Sequence, residues 1–332
     1  MASNVYGKKL NPYRRLREPL GVKGIRQSIA ITNVPSKISQ NQQLTVRFPD
    51  LGDTDVIVPG TTRLAFTISI NSTDTKRTIV QNLGCAIISK IVIRIAGNEV
   101  LSIDDADIYN CYVDLWKTKQ ERESSHYQGI DTTSAMNVNK CRVGASDKAA
   151  SDSDEAIANL YNNWFFIPLD FELLETHMPY YPSGLGGQLE YELTFNSNSR
   201  VVVVTTDDTT ATYSIENISL EYDIVSHHEL SRAIRSQYLS RFPVLYDRIL
   251  RYTKISGDKF DQLWNIHLNV SAKSMKGILI LFEEPADAFK RDSEKFYNPK
   301  IKNVAVTIEG VPNQLDTTSS VGGSKEVLSS WL

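Results

Sequence analysis

Residues Lys90–Leu101 read KIVIRIAGNEVL, and Lys302–Leu315 read KNVAVTIEGVPNQL. In each, a basic residue leads into alternating β-branched residues, then a glycine, a polar turn and a leucine. Alternation at a period of two marks a strand with one buried face. A glycine at the break supplies the positive φ that a two-residue hairpin demands. The spacing predicts a Gly-Asn turn between Ile95 and Val100. Aligning Gly97 with Gly310 sets an offset of 310 − 97 = 213 residues. A strand-and-turn unit written twice implies two copies of one β-domain.

The same alternation spreads outward from these stretches. It recurs at Leu64, Phe66, Ile68 and Ile70, at Leu189, Tyr191, Leu193 and Phe195, and at Ile218, Leu220, Tyr222 and Ile224. It returns at Trp264, Ile266, Leu268 and Val270, opposite Asn265, His267 and Asn269. Half-buried strands with short turns predict an antiparallel sandwich or barrel, because a parallel α/β sheet buries both faces and shows continuous apolar runs. Val201–Val204 is the one such run.

Helical patterns are few. Asp104–Gln120 opens with acids and spaces Ile108, Cys111, Tyr112 and Leu115 along one stripe, which predicts a helix burying that stripe. Ser226–Phe242 begins with a capping box, Ser226 with Glu229, and spaces Leu230, Ile234 and Tyr238 four apart. It reads as a linking helix. Between them, residues 117–160 form a long polar stretch, expected as a functional or mobile loop.

A chain of 332 residues, 41% hydrophobic and 23% charged, is long enough for one large or two medium cores. Its net charge of −3 gives no global pull toward nucleic acid or anionic lipid. Cys85, Cys111 and Cys141 fit neither a disulfide framework nor a paired zinc motif and are expected to be reduced. The N-terminal stretch lacks an apolar core segment, and no run approaches a membrane span, so secretion and insertion are not expected. Residues 1–27 instead form a basic arm carrying Lys8, Lys9, Arg14, Arg15, Arg17, Lys23 and Arg26 against the single acid Glu18. Such an arm can touch phosphates in a weak, salt-sensitive, sequence-blind way.

Catalytic signatures are missing from the sequence: no His-Glu-x-x-His, no P-loop and no nucleophile elbow is present. Ser183–Gly187, SGLGG, lacks the lysine of a phosphate cradle and reads as a turn. Asp104, Asp105 and Asp107 lack the spacing of a calcium loop and read as helix-capping acids. His227 and His228 are adjacent, so on a helix they diverge by about 100° and cannot share a metal. His177 and His267 read as packing or surface residues. No enzyme activity and no cofactor are expected.

Phe165–Phe195, FFIPLDFELLETHMPYYPSGLGGQLEYELTF, resembles the matching segment of double jelly-roll major capsid proteins: an Ile-Pro-Leu strand, an acidic-aliphatic turn, a proline-rich crossing and an amphipathic strand. Tyr246–Gly257 is similar to the start of their second roll, and Phe296–Leu315 to its early strands. The family named by the resemblance is the hexon-like capsid protein of Polinton-like and adintovirus elements. It implies an all-β double jelly roll: a first roll over 28–225, a linking helix over 226–242 and a second roll over 243–332. It also implies a homotrimer tiling an icosahedral shell assembled inside a host cell, with penton and minor capsid proteins as partners and nucleic acid or an inner membrane met by the arm. A single jelly-roll penton protein and a carbohydrate-binding module using Trp164, Tyr180 and Tyr181 are the alternatives. Only 332 − 310 = 22 residues follow Gly310, against 225 − 97 = 128 from Gly97 to Val225. A second roll that is incomplete in this chain is therefore expected.

Overall fold

The computed structural model describes residues 25–49, 54–58, 60–71, 77–80, 83–129, 164–169, 188–204, 210–239, 249–252 and 278–282, and the pairs 303–304, 307–308, 311–312 and 318–319. The described residues fall into two units, one reaching to Arg251 and the other holding Tyr252 and everything described after it.

In the first unit, the alternating segments form the strands that their period dictates. In chain order these are β1 (Ile25–Ile31), β2 (Lys37–Ser39), β3 (Gln43–Arg47), β4 (Asp55–Ile57), β5 (Arg63–Asn71), β6 (Arg77–Ile79), β7 (Ile88–Ile95) and β8 (Asn98–Asp104). Two helices follow, α1 (Ala106–Leu115) and α2 (Lys119–Ser124), then β9 (Trp164–Pro168), β10 (Leu189–Phe195), β11 (Val202–Val204), β12 (Thr212–Ser226) and α3 (His228–Leu239). One sheet runs β1-β12-β5-β9, with β2 and β4 also on β12, and the other runs β3-β10-β7-β8. Every pairing is antiparallel.

The order has one simple origin. β7 pairs with β8, β5 with β9, β3 with β10 and β1 with β12. These four pairs are nested, so the chain is one long hairpin folded over itself, with the Lys90–Leu101 stretch at its tip. Rolled into two facing sheets, that hairpin is a jelly roll. The fold class expected from the sequence, all-β with few short helices, is the one observed.

Its core lies between the sheets. Leu189, Tyr191, Leu193 and Phe195 all point inward at 0% exposure, and Phe48 bridges the layers, its ring 5.4 Å from that of Tyr191 on β10 and 4.9 Å from that of Tyr222 on β12. Each such side chain contributes about 1.5–3 kcal/mol of burial. Burial pushes the Tyr222 phenol up to about 12. β12 is kinked where Asn217 takes φ 52 and the register on β5 shifts between Glu216 and Ser219. Asn217 Nδ2 donates to Thr67 Oγ1 at 3.0 Å and holds that bulge.

The second unit shows two antiparallel pairs, β13 (Asn303–Val304) with β16 (Thr318–Ser319) and β14 (Thr307–Ile308) with β15 (Val311–Pro312). The Trp264–Val270 stretch lies outside the described residues.

Candidate assembly surface

Both repeated stretches make a hairpin in the same register. Ile95 faces Asn98 across Ala96–Gly97, and Ile308 faces Val311 across Glu309–Gly310. The offsets agree: 308 − 95 = 213 and 311 − 98 = 213. In the first hairpin Ala96 has φ 52 and Gly97 φ 79, the two positive angles of a type I′ turn. The turn is therefore Ala96–Gly97 and not the expected Gly97–Asn98, because Asn98 already pairs with Ile95. A Cβ on Gly97 would meet nothing within 4 Å, so its φ alone demands glycine. Gly310 itself lies outside the described residues.

Of the basic residues assigned to the arm, Lys8, Lys9, Arg14, Arg15, Arg17 and Lys23 lie outside the described residues. Arg26 sits within β1, opposite Val225. The sheet thus begins at Ile25, inside the span that charge alone marks as arm.

The outward faces of both sheets are laced with ion pairs between neighbouring strands. Arg47 holds Glu190 at 2.8 Å, Arg94 holds Glu192 at 3.0 Å and Lys90 holds Asp104 at 2.8 Å. On the other sheet Arg63 holds Glu221 at 2.7 Å and Lys37 holds Glu216 at 3.1 Å. Four of these five pairs join residues directly opposite in register. Charges spent on each other leave these faces polar and self-neutralised.

α1 is built the other way round. Its buried residues are Ala106, Asp107, Cys111 and Asp114, whereas Leu115 is 59% and the following Trp116 62% exposed. The stripe Ile108, Cys111, Tyr112 and Leu115 expected to face the core shares only Cys111 with the observed buried face. The reason is polar. Asn196 Nδ2 donates to Asp107 Oδ2 at 2.9 Å and to the Ala86 carbonyl at 3.0 Å, and Arg200 stands 3.8 Å from the same carboxylate. Asp114 meets Arg122 at 3.1 Å and Lys117 at 3.6 Å. Two buried acids thus fasten α1 to the β10–β12 connection and to α2. Burial pushes the Asp107 carboxyl up from its ordinary range, and Arg200 and Asn196 offset only part of that.

α2 corrects the reading of 117–160 as loop from its start. Thr118 and Glu121 form a capping box: the Thr118 amide donates to Glu121 Oε2 at 2.6 Å, and the Glu121 amide donates to Thr118 Oγ1 at 3.3 Å. The amide of Thr118 holds the Glu121 carboxyl below its ordinary range. A 3₁₀ turn, His126–Gln128, then lies against the Leu83–Ala86 helix so closely that a Cβ on Gly84 would stand 2.7 Å from the Gln128 carbonyl oxygen.

The remaining polar candidates have separate structural partners. Asp104 pairs with Lys90, and Asp105 pairs with Arg251 and makes no side-chain cap at the N-terminus of α1. His227 Nδ1 accepts from the Leu230 amide at 3.1 Å and so caps α3, the role expected of Ser226. Ser226 donates to Asp55 instead. Among the described residues no three His, Cys, Asp or Glu side chains gather as a metal site, and no helix is long and apolar enough to cross a membrane. His177, His267, Cys141, Tyr180, Tyr181 and the Ser183–Gly187 turn lie outside the described residues.

No family model matches the chain, and no curated protein does. Among solved structures it is similar to PBCV-1 VP54, as fitted into a reconstruction of the virophage Sputnik, at TM-score 0.38 and 12% identity over 64% of this chain and 46% of that one. It is similar to the Faustovirus major capsid protein at TM-score 0.37 and 8% identity, over 64% and 56%. It is also similar to the mavirus major capsid protein at TM-score 0.32 and 12% identity, over 65% and 51%. The chain spans about half the length of these structures.

Proposed function

We propose that this chain is a structural capsid protein, a double jelly-roll subunit that forms homotrimers tiling an icosahedral shell. The observation that carries the reading is the hairpin repeated at an offset of 213 in one register. In the first unit that hairpin is the tip of a complete roll, so its recurrence marks the centre of a second. Two similar rolls in each of three chains present six similar edges, the geometry of a pseudo-hexagonal tile. The motifs of Phe165–Phe195 point the same way: their ends are β9 and β10, one strand in each sheet.

The role is adhesive and geometric, with no catalysis. The sandwich supplies a rigid body, its ion-paired faces keep the subunit soluble, and the surface at α1 is left for contact. The basic arm faces nucleic acid or an inner membrane, penton and minor capsid proteins complete the shell, and the virion is its location. The test is the mass of the purified full chain at micromolar concentration, followed by electron microscopy. A trimer with pseudo-hexagonal outline supports the reading; a monomer with no particles overturns it.

One feature favours a second reading. Trp164, 39% exposed, stacks on Phe166 at 6.4 Å on the outer face of β9, and Arg63 lies 5.2 Å over the Phe166 ring. An aromatic pair beside a paired arginine suits the face of a sugar. Selective binding on a glycan array by a monomeric chain would favour the carbohydrate-binding module.

A further inference from the structure

Among the described residues β9 pairs with β5 alone and lies at an edge of its sheet. Alternation turns Phe165 and Ile167 into the core and Trp164 and Phe166 to the outer face. There the Trp164 and Phe166 rings are nearly parallel, with 19° between their planes and 6.4 Å between their centres, and the Arg63 guanidinium lies 5.2 Å over the Phe166 ring. Arg63, Phe166 and Trp164 therefore form a ladder. Glu221 fixes Arg63 at 2.7 Å, so the ladder is held at one end, and its last ring, Trp164, is exposed. A ring held in place before a ligand arrives loses little freedom on binding.

The side of Trp164 away from Phe166 is polar. Trp164 faces Thr67 on β5, and two residues further along β5 in that direction Ser69 faces Ser214. The two hydroxyls meet at 2.9 Å on the exposed surface. One proton joins them, which leaves a second proton and spare lone pairs for a ligand. Glu216, opposite Thr67 on β12, meets Lys37 at 3.1 Å. A flat apolar ring thus stands beside hydroxyl and charged groups.

Size and charge decide what such a place holds. An exposure of 39% on a side chain of about 250 Å² is on the order of 100 Å², far below the roughly 800 Å² that each partner buries in a stable protein contact. The ligand is small. Its charge follows from the pairing: Arg63 and Lys37 are matched by Glu221 and Glu216, so this face has no surplus cation to hold a phosphate or a carboxylate. Nucleic acid stacked through its bases and acidic sugars both need one.

We propose that Trp164 is the centre of a binding site for a neutral glycan. The C–H face of one sugar ring stacks on the indole, where its slightly positive hydrogens meet the negative π face, and its hydroxyls bond to Ser69, Ser214 and the Lys37–Glu216 pair. The proposal rests on the second reading above, that this face takes a sugar, and adds the ring that binds, the groups that orient the ligand and the ligand's charge.

The experiment uses the full chain on an array of neutral and sialylated glycans. The strongest neutral oligosaccharide is then titrated in solution. Trp164→Ala should weaken binding about tenfold at unchanged melting temperature, while Trp164→Tyr, which keeps a flat ring, should stay within about threefold of the wild type. Saturation-transfer NMR on the unmodified protein needs no variant: magnetisation from aromatic protons should reach one face of one sugar ring. Neutral binding that survives Trp164→Ala, or saturation spread evenly over both faces, overturns this site and leaves the carbohydrate reading standing. Binding confined to sialylated glycans overturns the assignment of a neutral ligand. Binding to no glycan overturns this inference and the second reading together and leaves the capsid reading untouched.

Discussion

The hairpins at Ala96–Gly97 and Glu309–Gly310 share a register at the turn and part company a few residues away. In the first, one residue of slippage separates the pair Arg94 with Glu99 from the pair Ile93 with Leu101. In the second, Ile308 faces Val311 and, in a separate pair, Val304 faces Thr318, so 318 − 311 = 7 residues of chain separate Val311 from Thr318 against 308 − 304 = 4 between Val304 and Ile308. Each strand-and-turn sequence is enough to close a two-residue turn. The roll comes from what is wrapped around it, pairings such as Ile29 with Tyr222 and Leu44 with Leu193, which no local pattern can specify.

The largest effect should come from removing what joins the wrapped layers. Phe48 lies between β10 and β12 at 1% exposure, and Phe48→Ala should destabilise the first roll by about 3–5 kcal/mol through lost burial and the cavity left behind. Hydrogen exchange reads the comparison directly. Protection should fall across β3, β10 and β12 and remain at Ile308 and Val311. Joint loss at both hairpins would show that the two units unfold as one.

Next in size are the turns. Gly97→Val forces a β-branched residue to φ 79 and should cost about 1–3 kcal/mol. The repeat reading expects Gly310→Val to loosen the β14–β15 pair by a similar amount. A silent substitution at 310 beside a damaging one at 97 would mean that the two turns differ, and the argument for a repeated roll would lose its main support.

How legible was this in the sequence? The strands were: Leu189, Tyr191, Leu193 and Phe195 alternate on the page and are all at 0% exposure in the fold. The glycine of the turn was legible too, but not its companion, because alanine does not advertise a positive φ. α1 misled. Of its stripe, Cys111 is buried, Ile108 and Tyr112 are half-buried and Leu115 is exposed, because the partners that pull Asp107 inward, Asn196 and Arg200, stand 196 − 107 = 89 and 200 − 107 = 93 residues away. Thr118 with Glu121 was a readable capping signal inside a stretch whose polarity argued loop. Arg26 reads as arm by charge, yet its backbone belongs to β1 by pairing.

α1 also yields a pH prediction that separates it from the sheet faces. Burial raises the Asp107 carboxyl above its ordinary range, so the native state binds that proton more tightly than the unfolded chain does. The stability this group contributes is fully present below the ordinary carboxylate range and is lost as pH rises through the raised value. Relative to Asp107→Asn, which carries no such proton, the wild-type melting temperature should therefore decline as pH rises above the ordinary carboxylate range, from about pH 4 upward. A difference between the two proteins that stays constant across that range would show that Asp107 titrates as an ordinary surface acid.

The smallest effect isolates the turn from everything around it. Ala96 sits at φ 52, where a side chain bearing a Cβ pays for left-handed backbone, while asparagine tolerates that region and Asn-Gly is a favoured type I′ pair. Ala96→Asn should stabilise the first roll by about 0.5–1 kcal/mol, read from the denaturant midpoint at unchanged slope. The second hairpin supplies the control, for it carries Glu309 at the equivalent position. Ala96→Glu transplants that residue, keeps the Cβ and so keeps the backbone cost; it should leave the midpoint near that of the wild type. If Ala96→Glu stabilised as much as Ala96→Asn, charge near Arg94 would be the cause and not turn geometry. If neither moved the midpoint, the hairpin at the centre of the nest would be held by the strands around it, and its recurrence at 309–310 would then have to be explained by something other than the turn.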